Sequence, residues 1–158
     1  MNQPAETLDT LPTRVSCLVL TLADRKLLVP ITAVAEVVTT QQQPSGGDGG
    51  FCHGWIDWRE QRIPLVSFEA ACGGAPVPLG AFYRIAVFNA IDDAADLGFY
   101  ALPVGAIPQS LQVVPQTVLV PEDSADGLLA MEAVVGEHRA WVPRLDRLET
   151  RVAALARG

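Results

Sequence analysis

A chain of 158 residues that is 49% hydrophobic can bury a core of its own, and its 18% charged residues fall below the usual quarter or so. A net charge of −7, without clusters of Lys or Arg, argues against nucleic acid or an anionic membrane as a partner, because basic side chains supply most of that affinity. Three cysteines, Cys17, Cys52 and Cys72, are an odd number without close pairing, which argues against a disulfide framework and suits a reducing cytoplasm.

Residues 1–13 are polar, carry two prolines and are expected as a frayed tail, leaving 14–158 as one folded domain. They hold no basic leader followed by an apolar run, and no stretch reaches the roughly 18 apolar residues of a membrane span. Val15 to Leu22 and Leu27 to Val29 alternate around a polar turn and predict a hairpin. Ile31, Val34, Val37 and Val38 fall at helical spacing around Glu36, which suggests a short helical turn running into an extended piece. Gln41 to Gly50, rich in Gln and Gly, reads as a flexible loop. Two apolar strands then flank a tight turn near Arg59. Phe68 to Cys72 suggests a short helix stopped by Gly73 and Gly74.

Ala75 to Ala81 is a Pro/Gly-rich connector. Tyr83 to Asn89 and Leu97 to Leu102 read as strands around an acidic turn at Ile91 to Asp96. Prolines 103, 108, 115 and 121 break the next stretch, so Leu111 to Val114 and Thr117 to Val120 are expected as edge strands or bent connections. Ala130 to Val135 and Arg139 to Val142 flank another turn. Leu145, Leu148, Val152 and Leu155 lie on one helical face, predicting an amphipathic helix over Pro143 to Ala156. About nine strands and one clear helix point to an all-β barrel or sandwich fold and away from a βαβ sheet.

Catalytic and metal signals are weak. His53 and His138 are the only histidines, and neither sits in a pattern supplying a nucleophile, a base and a group to orient that base. Cys17, Cys52, His53 and Cys72 lack the short-spaced pair of a zinc site. The loop up to Gly50 lacks the Gly-Lys-Ser/Thr ending of a phosphate loop. The chain is therefore read as a binding protein, not an enzyme.

The run Gly54-Trp55-Ile56-Asp57-Trp58-Arg59-Glu60-Gln61-Arg62-Ile63-Pro64-Leu65-Val66-Ser67-Phe68 carries the most information. Ile56, Ile63, Leu65 and Val66 read as core. Arg59 and Arg62 beside Trp58 and Asp57 have the composition of an interface. This run resembles the signature hairpin of CheW-like domains. That signature reads Gly, two apolar residues, Asn, Leu, Arg, Gly, any residue, two apolar residues, Pro, two apolar residues, Asp, Leu. Three further segments are similar to family blocks and fall in the same order. They are Leu27 to Val38, Tyr100-Ala101-Leu102-Pro103-Val104, and Trp141 to Leu148. The likeness runs from about Val15 to Leu155.

The resemblance implies two small SH3-like five-stranded β-barrels around a shared core, with a C-terminal helix and no cofactor. It implies a non-catalytic cytoplasmic adaptor that couples chemoreceptors to a CheA-type histidine kinase at receptor arrays on the inner membrane. Such adaptors hold the cytoplasmic tip of a methyl-accepting receptor in a groove between the barrels. They bind the kinase's regulatory CheW-like domain through barrel ends. By this likeness Arg59 takes the place of the hairpin arginine and Glu36 that of the first block's acid. Val34 and Val37 neighbour that acid, and Val87 lies on a strand near the groove. Asp57, Trp58 and Arg62 complete the expected partner surface.

The departures are Asp57 for Asn, Trp58 for Leu, Glu60 for the turn Gly, Ser67-Phe68 for Asp-Leu, and Gly105 for an Asp. Glu60 removes the conformational freedom that a glycine gives such a turn. These changes are similar to the adaptors of type IV pilus chemosensory systems, ChpC-like or PilI-like, which control twitching motility. A competing reading is a small β-barrel that binds a ligand or oligonucleotide. The pI near 4.7 opposes it, since such barrels need a basic groove with exposed aromatics.

Overall fold

Alternating apolar residues build twelve strands among the described residues, which are 14–48, 50–91, 97–114, 117–121, 127–135 and 137–157 of the computed structural model. The expected tail, residues 1–13, and the acidic turn beyond Ile91 lie outside them. The first hairpin is β1 (Val15–Thr21) and β2 (Lys26–Pro30), as its alternation predicts. A single 3-10 turn, Ile31–Ala33, leads into β3 (Val34–Thr40), so the helical spacing around Glu36 resolves as a strand. The central hairpin is β5 (Cys52–Trp58) and β6 (Gln61–Val66), preceded by a two-residue strand β4 (Ser45–Gly46). Helix α1 (Phe68–Ala71) follows, capped by the Ser67 hydroxyl, which accepts from the Ala70 N–H at 3.1 Å. Then come β7 (Tyr83–Asn89), β8 (Phe99–Val104), β9 (Gln109–Val113), β10 (Val118–Pro121), β11 (Leu129–Val135), β12 (His138–Pro143) and the C-terminal helix α2 (Leu145–Arg157).

The strands form two six-stranded sheets of the same plan, where five strands each were expected. The first runs β10-β11-β12-β2-β1-β9 and the second β3-β7-β8-β6-β5-β4. Each joins two antiparallel three-stranded ribbons through one parallel contact, Trp141 to Leu27 in the first sheet and Leu65 to Ala101 in the second. The proline-flanked strands β9 and β10 are the two edges of the first sheet, where a missing ladder donor does least harm. Pro103 departs from that expectation. It lies inside β8, opposite Ile85.

Both sheets are rolled. Six strands at about 4.8 Å spacing would set the edges of a flat sheet roughly 24 Å apart. The first sheet's edges, β9 and β10, are consecutive strands that end at Val113 and begin at Val118. The connecting chain reaches at most about 18 Å, and it is tightened by a turn in which the Thr117 N–H donates to the Val114 carbonyl. In the second sheet, β3 is one edge, and β5 stands four places away beside the other edge, β4. β3 and β5 are nevertheless joined by side chains, as described below.

Rolling gives each sheet a core of its own and leaves a third core between them. Ile56, Trp58, Ile63, Leu65, Ile85, Val87 and Ala101 fill the second sheet. Cys17, Val19, Leu28, Ala133 and Ala140 fill the first. The shared core takes Leu20, Leu27 and Val29 from one side, and Val66, Ala86, Phe88, Tyr100 and Leu102 from the other. Neighbouring residues on one strand thus enter different cores: Leu28 one, Leu27 and Val29 another. Strands covered on both faces read as unbroken apolar runs.

Helix α2 closes the shared core with Leu148 and Val152, both fully buried. Its Glu149 carboxylate, also fully buried, accepts the Ile91 N–H at 2.9 and 3.0 Å and the Tyr100 hydroxyl at 3.4 Å. Burial pushes the Tyr100 phenol far above its usual range, and the neighbouring carboxylate adds to this. Arg151 donates to the Ala71 carbonyl at 2.7 Å and lies over the Phe51 ring, tying α2 to α1. On α1, Glu69 accepts the Ala23 N–H at 2.9 Å and so holds the β1–β2 turn.

Two outcomes follow from this packing. Leu65→Ala, at a position with no exposure, should cost about 2–5 kcal/mol in urea unfolding, with an unchanged slope. His53 has a buried Nε2 without a partner among the described residues. Burial lowers its pKa, and the charge of Glu69 only partly opposes this. The unfolded chain then binds the proton more readily, so this group costs stability as pH falls below about 6.5 and costs none above it. His53→Gln should flatten the loss of stability between about pH 7 and pH 5.5. An identical loss in both proteins would contradict this.

Candidate partner-binding site

The central hairpin turns in two residues, Arg59 and Glu60, between the cross-strand pair Trp58–Gln61. Both adopt left-handed backbone, Arg59 at φ 47° and Glu60 at φ 65°. This is the type I′ geometry that matches strand twist and that Asn-Gly usually supplies. The turn therefore keeps its shape with Glu60 in place of glycine. Each such residue costs roughly 1–2 kcal/mol against a right-handed conformation.

Side chains offset that strain. The Arg59 guanidinium lies 4.6 Å from the centroid of the Trp58 ring and 3.2 Å from the Glu36 carboxylate. The Trp58 indole N–H donates to the same Glu36 Oε1 at 2.9 Å. Trp58 is 7% exposed, and its ring meets Phe99 at 4.8 Å. Glu36 reaches this position because β3 carries a bulge between Val34 and Glu36, after which Glu36 pairs with Val87 and lies on the face of the second sheet's own core. Glu36, Trp58 and Arg59 thus form one cluster across the seam of the rolled sheet. The Arg59 side chain remains 61% exposed. An ion pair this open contributes at most about 1 kcal/mol, so its effect is to orient the arginine more than to hold the fold.

The other expected residues divide. Asp57 and Arg62 form a second pair at 3.3 Å on the outer face of the hairpin, where Arg62 also donates to the Ser45 hydroxyl at 2.9 Å. Val34 and Val37 are half-buried against the shared core. Val87 is a correction. It is fully buried in the second sheet's core and offers no side-chain surface to a partner, although it supports Glu36 from behind.

Residues outside the expected set complete the seam. The Gln42 side-chain amide donates to the Asp57 carbonyl at 2.7 Å and accepts the Asp57 N–H at 2.8 Å, so it continues the strand ladder. The Tyr83 hydroxyl donates to the Gln42 carbonyl. The stretch expected as a flexible loop is therefore pinned. Asp48 accepts from the Gly50 and Cys52 N–H groups at 2.7 and 3.1 Å, and Ser45–Gly46 pairs with β5. Gly54, at φ 132°, permits this pairing, since a Cβ there would meet the Ser45 carbonyl oxygen at 2.7 Å. Among the described residues, no three His, Cys, Asp or Glu side chains are grouped so as to hold a metal ion. The cysteines Cys17, Cys52 and Cys72 are free thiols.

Relieving the turn gives a direct test of its strain. Glu60→Gly should raise stability by about 0.5–1 kcal/mol in urea unfolding, because glycine adopts a positive φ freely. A loss of stability would mean that Glu60 makes a compensating contact.

Comparison with known proteins agrees with this architecture. The family model for the CheW-like domain matches residues 16–148. No curated protein sequence matches the chain. Among solved structures, the scaffolding protein TtCheW from Thermoanaerobacter tengcongensis superposes with a TM-score of 0.65 at 18% identity, covering 88% of this chain and 90% of that one. At that identity the superposition establishes a common fold. With the family match spanning most of the sequence, the chain belongs to the CheW-like domain family.

Proposed function

We propose that this chain is a non-catalytic adaptor of chemotaxis-like signalling. It couples the cytoplasmic tip of a methyl-accepting chemoreceptor to the regulatory CheW-like domain of a CheA-type histidine kinase. Family membership supports the general reading, as does the likeness to a protein described as a scaffold. The observation that carries the finer reading is Arg59. It is an exposed guanidinium fixed at a strained turn by Trp58 and Glu36, and so ready to meet a partner with little loss of side-chain freedom. The adaptor works in the cytoplasm at receptor arrays on the inner membrane. Among the described residues, no helix is long and apolar enough to cross a membrane. The divergent run Gly54 to Arg59 supports a pilus-linked system controlling twitching motility.

The test is co-purification of the full chain with the kinase's CheW-like domain and, separately, with a receptor tip fragment. Arg59→Glu and Glu36→Arg should each weaken at least one of these complexes by about tenfold or more with the fold intact. The Arg59→Glu strain should lose twitching. Wild-type binding by both folded variants would contradict the residue roles, and normal twitching would contradict the pilus assignment.

A further inference from the structure

Two arginines near the tip of the central hairpin suggest an acidic partner, but their charges are already matched within the chain. Arg59 lies 3.2 Å from the Glu36 carboxylate, and Arg62 lies 3.3 Å from that of Asp57. Each pair is neutral as a unit and acts on a partner only as a weak dipole, further weakened by salt. The charge left over is Glu60. It is exposed in the turn, and its carboxylate has no hydrogen-bond or ion-pair partner among the described residues. The tip as a whole therefore presents one unmatched negative charge.

Backbone geometry singles out the same residue. Glu60 sits at φ 65°, where glycine would be free of strain. Arg59 is strained in the same way, but Trp58 and Glu36 hold its side chain. Glu60 has no such contact. A non-glycine residue kept in a strained conformation, with no bond to the rest of the fold, points to a use outside the fold.

We propose that Glu60 sets the partner specificity of the hairpin by meeting a Lys or Arg side chain on the kinase's CheW-like domain. This rests on the kinase reading above and adds the sign of the partner's charge. The two turn residues then have different tasks. One nitrogen of Arg59 faces Glu36, which leaves the rest of its fork to donate to neutral acceptors such as a partner carbonyl. Glu60 supplies the net charge. A partner with an acid at this point is rejected by like-charge repulsion. A partner with an apolar residue there strips water from the carboxylate and puts no bond in its place. The chain's net charge of −7 acts in the same direction, since it favours the approach of a basic surface.

The experiment measures binding of the full chain to the CheW-like domain of the kinase by biolayer interferometry over a salt series. Wild-type affinity should fall as salt rises, because exposed charges are screened. Glu60→Gln should weaken binding about two- to fivefold and flatten that salt dependence. Glu60→Lys should weaken it about tenfold or more, mostly through slower association. Glu60→Gly, which should be the more stable protein, should bind like Glu60→Gln, and this separates loss of charge from loss of fold. Charge reversal of each exposed Lys and Arg on the kinase domain should yield one variant that restores binding to Glu60→Lys but not to Arg59→Glu. Wild-type affinity in Glu60→Lys, or no restoring variant, would overturn the proposal. Normal binding by every Glu60 variant with loss in Arg59→Glu would overturn it and leave the kinase reading standing. No binding by the wild-type chain would overturn both.

Discussion

The bond from the Trp58 indole to the Glu36 carboxylate spans the seam of the second sheet, and much else depends on that seam being closed. β3 and β5 stand four places apart in the strand order. Joined, they enclose Ile56, Ile63, Leu65, Ile85 and Val87 as a core. Opened, the same residues would line an exposed apolar face. Closure needs polar bonds at the seam because the strand ladder is incomplete there. Trp58, Gln42 and Tyr83 supply them. The same closure places Glu36 under Arg59, so the candidate binding residue is positioned by the interaction that shapes its barrel.

Magnitudes show how this arrangement divides labour. Two non-glycine residues at positive φ strain the turn by a few kcal/mol at most. A hydrogen bond from the indole to a charged carboxylate contributes about 1.5–3 kcal/mol. The cation–π contact adds about 0.5–1 kcal/mol at an exposed site, and the open ion pair less than about 1. Strain and contacts are of similar size, so the hairpin tip is held in shape without adding much to stability. Stability lies instead in the three apolar cores and in α2, whose buried Glu149 anchors the chain after β7. The fold can therefore tolerate change at the tip, where partner choice would be set.

Much of the fold was legible because burial on both faces leaves a direct mark. The apolar runs at Val15, Tyr83 and Ala130 became β1, β7 and β11, and the Leu148–Val152 stripe became the buried face of α2. The prolines after 103 located the two edges of the first sheet, although Pro103 itself sits within β8. Two things were hidden. Gln42 and Ser45 lie in a stretch whose composition signals disorder, yet their partners, Asp57 and Arg62, are fifteen or more residues away. Local composition carries no information about such contacts. Val87 was misplaced because both faces of β7 are covered, so the residues from Ile85 to Phe88 are all buried, alternately in the second sheet's own core and in the shared core. The pairing of Glu36 with Arg59 was likewise invisible as geometry. Only the family resemblance brought the two residues together.

In the proposed function, one rigid tip, prepared by barrel closure, meets the kinase. Hydrogen exchange read by mass spectrometry on the full chain, with and without the CheW-like domain of a CheA-type kinase, tests it most directly. Slowed exchange is predicted at the amides around Arg59 and Glu60 and along β3 near Glu36, with the shared core unchanged. Protection confined to other surfaces, with the hairpin exchanging as it does in the free chain, would contradict it.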